Sequence, residues 1–451
     1  MKRIVLLMFF LFCLIVESLH ATDIIFSIRH HESDRTLNLI YPGLTKFSVP
    51  IDLNGNGIAK IDKSIKGYVI LDYGPFQSKT IWINSGLNMR VNLNVSKEGL
   101  DISFSGDNTA INSYLNVTPF GSIQINDASL DEKDYLSKAD SLYQSNLLLL
   151  KKAKLPSSFN KLERIRLLYY SYHGLPYYKE FYKRFRDNDV LPSLLLYWKK
   201  IKKLTVLDNP LLMQISEYRR FILQTVPMLI QHEKLVKDEK SVLQQYVGYL
   251  VEHKTCSAVK EYLIQQYIYQ LLKRKGVDAI TANDLYLYRS IVKSSTFKRQ
   301  FEELYQKQNS VKQGKPSPDF LANDSLGTEF SLSSFKGKYI YIDVWATWCS
   351  PCKKEIPYLE KLKNKYEGKS IYFISLSCDA NHRAWSDYVK LHSLNGIQLI
   401  LKENSSFMND YQIVGIPRFI LLDSDGRILN GNMTRPSDPK TMQILDSLFV
   451  R

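Results

Sequence analysis

Asp343-Val344-Trp345-Ala346-Thr347-Trp348-Cys349-Ser350-Pro351-Cys352-Lys353-Lys354-Glu355-Ile356-Pro357 is the stretch that decides how the last third of this chain folds. The apolar run 339–345 that enters it predicts a buried strand, and 353–366 predicts a helix. Pro351 suits the first turn of that helix, where a missing N–H costs nothing. Two cysteines three residues apart at a helix start share one face, with their sulfurs within bonding distance. Cys349 falls where unpaired backbone N–H groups and the positive end of the helix dipole favour thiolate over thiol; Lys353 and Lys354 add weaker positive charge. Cys349 is therefore expected to be the attacking nucleophile. Cys352, one turn further in, is expected to be the more buried, resolving thiol.

Working outward, strands alternate with helices. A strand is expected at 370–377, a helix at 383–392 and a strand at 398–401. A hairpin of 419–422 with 427–429 turns around Asp425-Gly426, and a helix at 439–449 closes the segment. This is an α/β unit with a mixed central sheet flanked by helices. Upstream, Ser310-Val311-Lys312-Gln313-Gly314-Lys315-Pro316-Ser317-Pro318 breaks the helical pattern with two prolines and a glycine, which places a domain boundary at 310/311.

Four features in this last third point one way. Trp348-Cys349-Ser350-Pro351-Cys352 forms a Trp-Cys-x-Pro-Cys string; Pro357 stands five residues after the second cysteine, Glu355 stands three after it, and Gly415-Ile416-Pro417-Arg418 follows later. The segment from about 315 onward resembles a thioredoxin-fold domain of the envelope thiol-disulfide oxidoreductases related to TlpA and ResA. An extra hairpin at 320–330 and an insertion at 379–394 suit that branch. The resemblance implies that Cys349 and Cys352 are catalytic, that Glu355 is an acidic group near them, and that Pro357 kinks the helix. It also implies that Pro417 is cis, with Trp348, Ile416 and Pro417 contacting a substrate chain that pairs like an added strand. Asp343 lies six residues before Cys349, where thioredoxins keep a buried aspartate. There it would have a raised pKa and act as a general base for Cys352, against the plainer reading of a hydrogen-bonded core carboxylate. The implied chemistry is attack by Cys349 on a protein disulfide, a mixed disulfide, and release by Cys352. The family comparison favours reduction or isomerisation over oxidation. No cofactor beyond the Cys349/Cys352 pair is expected, and no metal.

The rest of the chain is ordinary globular material. Of its 451 residues 45% are hydrophobic and 23% charged, with 20 Gly and 16 Pro, which excludes a disordered or collagen-like chain and predicts several domains. The net charge is +15, with 11 basic and 11 acidic residues in 1–130, 31 and 19 in 131–310, and 18 and 15 in 311–451. The excess therefore belongs to the middle segment. Met1-Lys2-Arg3, the thirteen apolar residues 4–16, and Glu17-Ser18-Leu19-His20-Ala21 have the order of a secretory signal peptide, 1–21, with cleavage expected after Ala21. Thirteen apolar residues are too few for a permanent transmembrane anchor. Cys13 sits inside the run after Phe12, which disfavours a lipid anchor. Export to the periplasm or cell envelope of a Gram-negative-type bacterium is expected, with the mature chain soluble there. Four cysteines in over 400 exported residues are no disulfide scaffold. Cys256, read as helical, and Cys378, at a strand end, are read as packing residues, with a relay role or a second disulfide as alternatives.

Residues 22–128 read as short alternating strands and predict a small antiparallel sandwich or barrel. His30-His31 is a poor metal pair, because adjacent strand residues face opposite ways. Residues 129–310 turn helical and hold 18 of the 29 tyrosines, which predicts aromatic packing in an all-α segment. One helix is expected to start at Asp208-Asn209-Pro210 and to carry Leu211, Ile215, Tyr218 and Ile222 on one face. Net positive charge invites nucleic acid as a partner; export argues against it. A single CxxC lacks the further ligands of a zinc site, and Lys353 after Cys352 excludes a CxxCH haem attachment. A peroxiredoxin would carry threonine where Ala346 stands. The expected partners are protein disulfides and an upstream thiol electron donor, a membrane-bound one among the candidates. The competing reading from another class is an envelope binding or scaffold protein whose first 310 residues carry the function and whose thioredoxin domain only docks.

Overall fold

The computed structural model describes residues 22–30, 36–41, 46–62, 65–74, 77–84, 88–96, 99–186, 194–233, 241–413 and 415–449. The expected signal peptide, Cys13 and His31 lie outside them. By its contacts the chain separates into two units, 1–263 and 264–451.

In the first unit eight strands form two four-stranded sheets. These are β1 (Thr22–Arg29), β2 (Leu37–Ile40), β3 (Lys46–Val49), β4 (Asn56–Ile61), β5 (Gly67–Asp72), β6 (Ser78–Ile83), β7 (Met89–Ser96) and β8 (Gly99–Gly106), ordered β4-β1-β7-β8 and β3-β2-β5-β6. Every pairing is antiparallel except β1 with β7, which run parallel. Alternation explains the packing: β4 and β7 bury every second residue, and those side chains meet in one core around Phe26, Leu39, Leu71 and Val91.

Helices follow: α1 (Thr109–Val117), α2 (Glu132–Lys152), α3 (Ser157–Ser171), α4 (Tyr178–Arg186), α5 (Leu195–Leu204), α6 (Ser216–His232) and α7 (Val242–Glu252). Tyr135, Tyr172, Tyr178, Tyr197 and Tyr218 are fully buried, so aromatic packing builds this segment's interior. The helix expected from Asp208 is two elements. Asn209 caps a short 3-10 turn, Pro210–Gln214; Ile215 is extended, and α6 begins only at Ser216. Cys256 precedes α8 (Ser257–Lys275) and is a free thiol.

The second unit contains α9 (Ala282–Ile291) and α10 (Ser295–Ser310), then a seven-stranded sheet. Its strands are β9 (Leu321–Asn323), β10 (Glu329–Ser331), β11 (Tyr339–Trp345), β12 (Ile371–Ser377), β13 (Ile397–Leu401), β14 (Arg418–Leu422) and β15 (Ile428–Met433), ordered β10-β9-β13-β12-β11-β14-β15. Strand β11, next to the middle, runs parallel to β12 and antiparallel to β14. Four helices complete it: α11 (Ser350–Lys365), α12 (His382–Leu391), α13 (Phe407–Asp410) and α14 (Pro439–Ser447). This is the topology of the thioredoxin fold. Because both faces of β11 are covered, its residues are apolar without alternation apart from Asp343. Ile340, Ile342 and Val344 join the core on one face, and Tyr341 joins the core on the other. The segment after Ser310 is stitched to the β14–β15 hairpin: Gly314 N–H donates to Ile428, Ile428 N–H to Lys315, and Ser317 N–H to Gly426.

Candidate active site

The site lies at the C-terminal ends of two parallel neighbours, where Trp345 of β11 pairs with Ser377 of β12. The chain leaves β11 and turns directly into α11. Cys349 is the helix N-cap; its N–H donates to the Ala346 carbonyl at 3.0 Å, and its Sγ accepts the Cys352 N–H at 3.1 Å. Pro351 occupies the first turn, where no N–H is needed, and Pro357 lies inside the helix. Cys349 and Cys352 form a disulfide, with their Cα atoms 5.3 Å apart. Cys349 is 4% exposed and Cys352 3%, so the expected difference in burial is absent; in the disulfide the two share one apolar cluster with Trp345, Ala346, Trp385 and Ile400. Trp348, by contrast, is 68% exposed beside them.

Ile416 packs against this cluster, and the Ile416–Pro417 peptide is cis. Asp343 is buried on β11, and no described residue hydrogen-bonds its carboxylate. Burial pushes this carboxyl up to about 7; the Lys363 ammonium pulls it down, and the Glu355 carboxylate pushes it up further. Glu355 is buried one turn beyond Cys352, and its hydrogen bonds go to a neighbouring loop. It accepts from Ser437 N–H and Ser437 Oγ, both at 3.0 Å, and Arg435 lies 3.7 Å away. It meets Asp343 only through space, as a like charge.

Two residues beyond the sequence reading belong here. Buried Asp379 follows β12 and clamps the turn before Cys349: it accepts from Thr347 N–H at 2.9 Å, Thr347 Oγ1 at 2.8 Å and Ser377 Oγ at 2.7 Å. Thr347 and Asp379 are 32 residues apart, a distance across which sequence spacing carries no signal. Cys378, a free thiol, packs against the Cys349/Cys352 cluster, and its N–H donates to the Trp345 carbonyl at 2.9 Å. Burial, with the Asp379 carboxylate second, pushes its pKa up to about 11.

The Redoxin family matches residues 312–445. The thiol-disulfide oxidoreductase ResA of Bacillus cereus is 30% identical over 129 residues, covering 29% of this chain and 74% of ResA. This chain belongs to the ResA-type thiol-disulfide oxidoreductase family. ResA of Bacillus subtilis is 24% identical over 137 residues, covering 30% of this chain and 76% of that protein. The crystal structure of the thioredoxin domain of a thiol-disulfide oxidoreductase from Bacteroides vulgatus is 28% identical, covering 31% of this chain and 100% of that one, with a TM-score of 0.29. All three likenesses concern only the last third, a thioredoxin-like oxidoreductase domain preceded here by two β-sheets and a helical segment.

Proposed function

We propose that this protein is an exported dithiol enzyme that reduces or isomerises protein disulfides through Cys349 and Cys352. The observation that carries the proposal is the Cys349 sulfur held at a helix N-terminus with the Cys352 N–H directed at it. That arrangement stabilises negative charge on Sγ once the bond is reduced. In the reduced enzyme the Cys349 thiolate attacks a substrate disulfide and forms a mixed disulfide, and one substrate sulfur leaves as thiolate. Cys352, deprotonated by Asp343, then attacks the Cys349 sulfur and expels the second substrate thiolate. The enzyme is left with its Cys349–Cys352 disulfide, two electrons have passed to the substrate, and an upstream thiol donor must restore them. Exposed Trp348 and the Ile416–Pro417 segment flank the sulfurs and would hold the substrate chain. Glu355 acts on this chemistry through Asp343, by raising the cost of a second negative charge. The basic, apolar, small-residue order of 1–21 supports secretion. Among the described residues no helix is long and apolar enough to cross a membrane.

The test is equilibration of the mature protein against defined glutathione or dithiothreitol ratios, followed by alkylation and mass spectrometry, with insulin reduction as the activity. A potential below about −230 mV and loss of turnover in Cys349→Ser are expected of a reductant, whereas about −180 mV assigns isomerisation. A pair that does not cycle overturns the proposal and moves the function to the first 310 residues.

A further inference from the structure

A cavity of the C-terminal unit, of about 190 Å³, is lined by the end of α8, the end of α10 with the residues after it, Tyr411, and strands β14 and β15. That is far more than the roughly 10–15 Å³ one water needs. Its wall carries five cationic side chains, Lys273, Arg274, Lys275, Lys312 and Arg418, against one carboxylate, Asp278. None of the five is in an ion pair among the described residues. Three of them have a local explanation. Lys273, Arg274 and Lys275 form the last turn of α8, where cations complement the dipole, and Gly276 at φ 79° then turns the chain out of the helix.

Arg418 and Gln308 have no such explanation. Arg418 opens β14 on the same side as Ile420 and Leu422, so its guanidinium is placed over the apolar core; its Nε is buried and without a hydrogen-bond partner. Burial lowers its pKa, as it does for a cation lacking a counter-charge. Gln308, 6% exposed, lines the same cavity with its Nε2 unpartnered. Buried donors without acceptors are costly, more so when charged, and are kept where something else supplies the acceptor. Donors are in surplus here, and the missing partner is therefore an acceptor with several oxygens.

We propose that this cavity is a binding site for a small phosphate-type oxyanion, held by Arg418 and Gln308, with Lys312 and the end of α8 supplying the surrounding positive field. Guanidinium and amide N–H groups are the donors that phosphate and its analogues take in planar, multiple contacts. The site is separate from the cysteines and does not rest on the redox reading. It begins, however, one residue after Pro417, so occupancy touches the strand that borders the active site.

The test is thermal unfolding and calorimetric titration of the full mature chain in phosphate-free buffer, with inorganic phosphate as the probe and potassium chloride at matched ionic strength as the reference. Phosphate is expected to raise the wild-type Tm saturably by roughly 3–8 °C while chloride does not. In Arg418→Met the phosphate response should vanish, while in chloride the variant melts at or above wild type, since its uncompensated charge is gone. In Gln308→Leu, which keeps every charge and stays interpretable if Arg418→Met fails to fold, phosphate affinity should fall at least tenfold. Equal phosphate responses in wild type and Gln308→Leu, or no wild-type response at tens of millimolar phosphate, overturn the proposal.

Discussion

At the residue scale the most consequential side chain is Asp343, an acid buried behind the helix that carries the cysteines. Its pKa is about 7 in the fold against an ordinary 3.8, so between pH 4 and 7 the unfolded chain has released a proton that the native protein retains. Stability must then fall as pH rises through that window. The deficit is on the order of 4 kcal/mol above pH 7 and absent below about pH 4, where both states are protonated. Asp343→Asn should therefore match wild type in urea unfolding at pH 4 and exceed it by a few kcal/mol at pH 8. The same substitution removes the proposed base for Cys352. Release of the mixed disulfide should slow by about 10²–10⁴-fold at neutral pH and lose its rise around pH 7, measured by stopped-flow trapping of the Cys349–substrate species. A variant with wild-type release kinetics would reduce Asp343 to a packing residue. Cys378 presents the opposite situation. With its pKa at about 11 almost none of it is thiolate at pH 7, so iodoacetamide should modify the reduced Cys349 at least a hundredfold faster than Cys378 under native conditions, read by peptide mass spectrometry.

At the element scale the site depends on one turn, residues 346–348, held between the end of β11 and the start of α11. Asp379 holds that turn through two hydrogen bonds from Thr347 to its carboxylate, each worth about 1.5–3 kcal/mol and not additive, while Ser377 Oγ fixes the carboxylate itself. Asp379→Ala should lower stability by about 2–4 kcal/mol and shift the Cys349/Cys352 redox potential, because Cys349 loses its fixed place at the helix N-terminus; an unchanged potential, measured against glutathione, would reduce Asp379 to a stabilising residue. This clamp also marks the limit of what the sequence could disclose. The strands and helices of the last third were legible because β11 and β12 are largely apolar runs without alternation, and the cysteines because CxxC at a helix start has few other uses. Glu355 was legible as a position but not as a partner of Ser437, 82 residues away. The strands β2, β4 and β8 escaped notice. β2 has only four residues and β4 follows directly on Asn54-Gly55, so that partners elsewhere in the sheet count for more than local pattern, whereas β8 alternates Leu100, Ile102 and Phe104 with polar residues and could have been read. The break at Ile215 was hidden because apolar spacing continues through a 3-10 turn much as it does through a helix.

At the scale of the whole molecule, an oxidoreductase domain accounts for about a third of the chain, and the first unit must be explained by its own packing. What ties its second sheet to its helices is a buried charge network. Arg166 on α3 makes two hydrogen bonds of 2.7 Å to Glu163 and one of 2.9 Å to Glu217 on α6, and the hydroxyls of Tyr68 on β5 and Tyr114 on α1 both donate to Glu163. Charge in such a place is costly in itself, since taking both ions out of water costs several kcal/mol apiece, and it persists only if every lone pair is used. The net excess of basic residues in 131–310 therefore says little about this interior: Arg166 is matched by two carboxylates, the other buried arginine, Arg219, donates to the Met213 carbonyl, and surplus lysines lie on helix faces such as 199–203. The design makes Glu163 the point of failure. Glu163→Ala leaves Arg166 with Glu217 alone and strands two tyrosine hydroxyls, and should cost about 3–5 kcal/mol, seen as a lower urea midpoint. Replacing Glu163 and Arg166 together, by leucine and methionine, removes the half-paired cation at the cost of its bond to Glu217, and should recover part of that loss. If the double variant is no more stable than Glu163→Ala, the network is held by the tyrosine hydrogen bonds and not by the ion pair.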